Sequence, residues 1–138
     1  MRFMLLMLPG PYDNLDLDPA AVEKMMAFNQ SMVDAGVLRA AEGLHPPTQA
    51  RRVTFETGKA VVHDGPFAET KEVLGGFWII EVGSEAEAVA WATKCPGQPN
   101  ETIEIRRIQE LEDFTPEVQA LAEGFEADSG WSPEGVRR

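Results

Sequence analysis

The sequence has a single cysteine, Cys95, and only two histidines, His45 and His63. One cysteine cannot close an internal disulfide, which fits a reducing compartment, and so few scattered ligands exclude the usual structural zinc patterns. No metal and no other cofactor is expected. Cationic residues are scarce as well: 12 Lys and Arg against 23 Asp and Glu leave a net charge of −11. Such a surface repels phosphate backbones and anionic headgroups, which takes nucleic acid and membranes off the list of expected partners. Long apolar runs are also missing. Phe3 to Leu8 is too short to span a bilayer, and Pro9-Gly10-Pro11 behind it does not resemble a signal-peptidase site, so no targeting segment is read and a cytoplasmic protein is expected.

What is present is enough apolar content, 43% of 138 residues, to form one packed core. Residues 3–8 are apolar at odd and even positions alike and read as a strand buried on both faces. Asp18-Pro19 is a helix start, and Val22, Met25, Met26, Met32 and Val33 recur on a helical face up to Gly36, giving a helix over 19–35. Residues 37–44 read as a second strand, stopped by His45-Pro46-Pro47. Residues 52–56 and 60–64 form a β-hairpin across Thr57-Gly58. Phe77 to Val82 is the strongest strand pattern in the chain, with Gly75-Gly76 in front of it. Ser84 and Glu87 make a capping box for a second helix whose stripe is Ala88, Trp91, Ala92 and Cys95, and 102–108 is the last strand.

In this order the elements predict an α+β domain of the ferredoxin-like kind over residues 1–114: an antiparallel sheet with two helices on one face and a β-hairpin inserted between the halves. Residues 115–138 read as a C-terminal tail, with a short amphipathic helical turn at Val118, Leu121 and Phe125 and a flexible end that carries Trp131. Two helices cover one sheet face only. The other face is apolar as well, since the first strand sends Met4, Leu6 and Leu8 away from Phe3, Leu5 and Met7. A second copy packed sheet to sheet is the expected cover, so a homodimer is expected, with the inserted hairpin and the tail folded over this face within one chain as the alternative.

The most unusual local sequence is Asp64-Gly65-Pro66-Phe67-Ala68-Glu69-Thr70-Lys71-Glu72. Asp commonly bonds the amide two residues on, but Pro66 has none, so the Asp64 carboxylate has to find the Phe67 amide, an arginine, water or a ligand. Asp64 is the leading candidate for acid–base or ligand-accepting chemistry, with a loop-pinning role as the alternative. His45 and His63 are its candidate assistants, although His63 as a strand neighbour points to the opposite face. Phe67, Glu69 and Lys71 are candidate substrate-binding residues of the same loop. Asn29, on the apolar stripe of the first helix, is either a satisfied core amide or a pocket liner.

Residues 64–77, DGPFAETKEVLGGF, resemble the DGPF-domain branch of the YCII-related family. The likeness extends to the MRFMLLM opening, Gly36-Val37-Leu38, Glu42-Gly43-Leu44 with Pro46-Pro47, Ala90-Trp91-Ala92 with Cys95-Pro96, and Ile103-Glu104-Ile105-Arg106, over roughly residues 1–114. The resemblance implies a ferredoxin-like dimer with a cleft for a small molecule near the subunit junction. Some relatives act on lactones from aromatic-ring breakdown through a His–Asp pair. The position of that histidine falls near Met25 here, an apolar departure. Relatives of this branch also tend to be encoded beside extracytoplasmic-function sigma factors. Two roles follow from the resemblance: a small-molecule-binding protein, with or without acid–base catalysis, and a non-catalytic accessory that meets a regulatory protein partner in sigma-factor signalling.

Overall fold

A computed structural model describes residues 1–12, 14–65, 67 and 73–129, with 124–129 described by backbone alone. The strands are β1 (Arg2–Leu8), β2 (Leu38–Gly43), β3 (Arg52–Glu56), β4 (Lys59–His63), β5 (Gly76–Glu81) and β6 (Thr102–Arg107), and the helices are α1 (Pro19–Asp34), α2 (Glu85–Thr93) and α3 (Pro116–Ser129). A four-stranded sheet has the order β2-β5-β1-β6, antiparallel throughout, and β3 and β4 form a separate two-stranded sheet.

The most apolar strand, β1, lies inside the sheet. Leu5 faces Trp78 of β5 on one side and Ile105 of β6 on the other. Period-2 alternation sends Phe3, Leu5 and Met7 to one face, where they meet Trp78, Ile80 and Val82, Phe28 and Met32 of α1, and Ala88 of α2 in the buried core. Both α1 and α2 therefore cover the same face. On the opposite face Met4, Leu6, Leu8, Phe77 and Ile79 are half-buried and lie outside that core. Leu38 and Ala41 both reach the core although they are three residues apart, because the pairing of β2 with β5 shifts between Leu38 and Ala40. Arg39 is the extra residue of this bulge and pairs with Glu81 at 3.0 Å. Gly76 is required at the pairing with β2, since a Cβ there would stand 2.7 Å from the Glu42 carbonyl oxygen.

The start of α1 follows the expected chemistry. The Asp18 carboxylate accepts from the Ala20 amide at 3.2 Å, and Pro19 fills the first turn, where no donor is needed. The helix ends at Gly36, φ 74°, with the Val37 amide bonded back to the Met32 carbonyl at 3.0 Å. Its buried face differs from expectation. Phe28 and Met32 are buried and Met25 is half-buried, whereas Val22, Met26 and Val33 are exposed. At 100° per residue, positions 25, 28, 29 and 32 form one stripe, and Val22, Met26 and Val33 lie 60–100° around the helix from Met25 on a second one (about these angles from 3.6 residues per turn).

The Ser84 hydroxyl accepts from the Glu87 amide at 3.2 Å and starts α2 as its capping pattern predicts. The tail departs from the short turn expected there: α3 runs from Pro116 to Ser129. Thr115 starts it, its hydroxyl accepting from the Val118 amide at 3.4 Å and its carbonyl from Gln119 at 3.0 Å. Thr-Pro-Glu is a cap, an N1 proline and a first-turn acid, a signal as clear as Asp18-Pro19. Trp131 and the rest of the tail lie outside the described residues.

Ahead of α3, residues 108–113 fold back on the sheet. The Arg2 guanidinium grips Glu110 with two bonds, Nε to Oε1 at 2.7 Å and Nη2 to Oε2 at 3.1 Å. The Glu110 amide in turn donates to the Asp113 carboxylate at 2.8 Å.

Candidate functional site

Of the candidate residues, His63, Asp64 and Phe67 lie at the base of the β3–β4 hairpin. Thr57 (φ 46°) and Gly58 (φ 77°) both take positive φ, the geometry of a two-residue type I′ turn, with a β-branched residue in a place that favours Asn or Gly. Pairing then fixes the register: Arg52 opposes His63, Val53 opposes Val62 and Phe55 opposes Ala60. Alternation puts Val53, Phe55, Ala60 and Val62 on one face of the hairpin, and Arg52, Thr54 and His63 on the other.

One step beyond the ladder, Arg51 reaches the Asp64 carboxylate, Nε to Oδ1 at 3.1 Å. Asp64 thus meets one of its expected partner types, an arginine. The His63 imidazole goes elsewhere, its Nε2 lying 2.9 Å from the Thr54 hydroxyl. Strand alternation accounts for this divergence of adjacent side chains. Phe67 is half-buried and carries the Arg52 guanidinium over its ring at 4.0 Å, a cation–π contact that ties the loop to the hairpin. Gly65, φ 84°, supplies the sharp turn between them. Glu69 and Lys71 lie outside the described residues.

His45 is exposed, and among the described residues no hydrogen bond or ion pair joins its ring to Asp64. Its carbonyl and that of Leu44 share the Tyr12 hydroxyl at 3.2 and 2.8 Å, and partial burial raises the Tyr12 pKa. Asn29 is a structural amide here: its Oδ1 accepts from the Trp78 indole N–H at 2.8 Å, beside the edge-to-face packing of Phe28 on Trp78. Asn29→Ala would leave the indole N–H without a partner. A stability loss of about 1–3 kcal/mol is expected in a thermal or urea melt. Cys95 is half-buried, and burial, helped by the charge of Glu101, pushes its thiol up to about 11, which keeps it from serving as a nucleophile near neutral pH.

Residues 1–112 match the YCII-related domain. The chain belongs to the YCII-related family. An uncharacterised protein of Rhizobium meliloti (strain 1021) is 39% identical to this YCII-related chain over 75 residues, which are 54% of this chain and 60% of the relative. The similarity therefore spans less than two thirds of that relative's length.

Two participants escape a reading of this YCII-related sequence by motif alone. Arg51 precedes the strand pattern, yet counting outward from the Thr57-Gly58 turn places it opposite Asp64. The Trp78 partner of Asn29 has a chemical signal too, since a buried indole N–H needs an acceptor. Neither required the fold to be known.

Proposed function

We propose that this YCII-related protein is a ferredoxin-like homodimer of the DGPF branch that binds a small molecule at the base of its hairpin. In this reading Asp64 is the ligand acceptor or acid–base group and Phe67 is an apolar platform beside it. His63, bonded to Thr54 on the other face of the hairpin, takes no part in this reading. The sheet order β2-β5-β1-β6, with α1 and α2 on one face, supports the fold assignment. A cytoplasmic location fits the composition, and no described helix is long and apolar enough to cross a membrane.

The observation that carries the functional reading is the state of the Asp64 carboxylate. Its side chain is 77% exposed and its ion-pair partner Arg51 is 59% exposed. Exposed pairs of this kind contribute about 0–1 kcal/mol, so the carboxylate does little for the fold and stands accessible beside Arg51. Asp64→Asn and Asp64→Ala are expected to melt within about 1 kcal/mol of the parent protein. A panel of small lactones and hydroxy acids, followed by thermal shift and calorimetry, should give a binder for the parent and none for either variant. A pair of variants that bind as tightly as the parent, or that lose several kcal/mol of stability, would overturn the reading.

A further inference from the structure

The hairpin carries an apolar face on which no other described element packs extensively. Val53 and Val62 are exposed and Phe55 is 81% exposed, and the two strands pack extensively only on each other. Two-stranded hairpins are marginal by themselves in water, and an exposed Phe offers on the order of 150 Å2 of apolar surface. A second exposed apolar stripe runs from Phe114, just ahead of α3, to Val118 and Leu121 in its first turns, with Leu121 82% exposed. Their chemistry matches, but one chain holds them apart. The hairpin leaves the main sheet at the Gly43–Gly76 pairing, next to edge strand β2. The chain reaches α3 from the other end of edge strand β6, past Arg107 and the Arg2–Glu110 clamp. These are diagonal corners of the sheet.

We propose that the hairpin is an arm that crosses to a second copy of this chain and seats Val53, Phe55, Ala60 and Val62 on the partner's α3 stripe. The proposal rests on the dimer reading given above. The surface needed by such a dimer favours it. Four strands about 4.8 Å apart and roughly 20 Å long give a sheet face of about 400 Å2. A stable dimer covers about 800 Å2 per partner, so the sheet face supplies about half, and two reciprocal arms extend the same surface. Symmetry permits the exchange. A twofold axis lying between the sheets along the other diagonal brings the hairpin corner of each copy to the α3 corner of its mate, and the strands then cross steeply, as in orthogonal sheet packing. Each candidate site, at the root of one arm, is then walled by the partner, and Asp64 and Phe67 work only in the dimer.

The test places a photoreactive phenylalanine analogue at position 55 of the full chain and irradiates it at micromolar concentration. A covalent band of twice the chain mass is expected, with the cross-link mapping to residues 114–129 of the other copy. Phe55→Ser, examined by sedimentation in parallel, should raise the dimer dissociation constant at least tenfold while the circular dichroism of the body is kept. A dimer that yields no doubled band, or a cross-link elsewhere, overturns the arm and leaves the sheet dimer standing. A parent protein that is monomeric throughout overturns both.

Discussion

Glu110→Ala is expected to cost about 3–5 kcal/mol of stability, the loss typical when one member of a buried ion pair is removed. The Arg2 and Glu110 side chains retain 12% and 9% of their exposure. The bidentate grip at 2.7 and 3.1 Å compensates the desolvation of both charges, and truncating the carboxylate leaves the Arg2 guanidinium half-sequestered with nothing to bind. Damage extends along the chain, because the Glu110 amide bonds Asp113 and so shapes the turn that leads into α3. For a domain of this size the melting temperature should fall by roughly 10–20 °C. Replacing both partners, Arg2→Met with Glu110→Leu, should recover most of the loss, since two apolar groups of similar volume leave no charge stranded. A drop below about 1 kcal/mol for Glu110→Ala, or no recovery in the pair, would show that the clamp is a surface contact.

Leu6→Asp should convert a dimer into folded monomers, raising the dissociation constant at least a hundredfold, about 2.7 kcal/mol. Leu6 sits on the face away from the helices, between Phe77 of β5 and Glu104 of β6. A carboxylate there would be desolvated by a facing sheet and would lie directly opposite Glu104, with Arg106 only at the diagonal position of the same face. The body should keep its fold, because the core on the other face, Phe3, Leu5 and Met7 with α1 and α2, is untouched. Leu5→Asp provides the contrast: Leu5 is fully buried and the same change there should abolish folding. Light scattering and circular dichroism on the two variants distinguish the faces. If Leu6→Asp unfolded the chain as Leu5→Asp does, the open face would be covered from within, and the dimer reading would fail.

The elements were legible because local signals and global packing agree in this chain. Asp18-Pro19, Ser84 with Glu87, and the glycines at 36, 58 and 76 each mark a boundary, by the backbone group satisfied, by a positive φ at 36 and 58, and by a close backbone approach at 76. Helix α1 is less legible because it carries two apolar stripes side by side, and sequence periodicity does not distinguish which one meets the sheet. The Arg2–Glu110 clamp was illegible for another reason: it joins positions 108 residues apart, and nothing local marks either as destined for burial. At the candidate site the hairpin register could be counted from its turn, which places Arg51 against Asp64. The exposure of that pair could not, since it depends on the hairpin projecting from the sheet.

The interior position of β1 also bears on how the chain comes off the ribosome. Its first neighbour in the sheet begins at Gly76 and its second at Thr102, so β1 waits for partners that are made much later than it is. At about 5–20 residues per second that delay is on the order of ten seconds. During it, six consecutive apolar residues, Phe3 to Leu8, stand with open hydrogen-bonding edges, bracketed only by Arg2 and Pro9. Such a segment pairs readily with its counterpart on a neighbouring nascent chain, and a charge on one side with a proline on the other is the flanking arrangement that slows that pairing. The residue that clamps Glu110 in the finished fold is thus also the gatekeeper of the unfinished one.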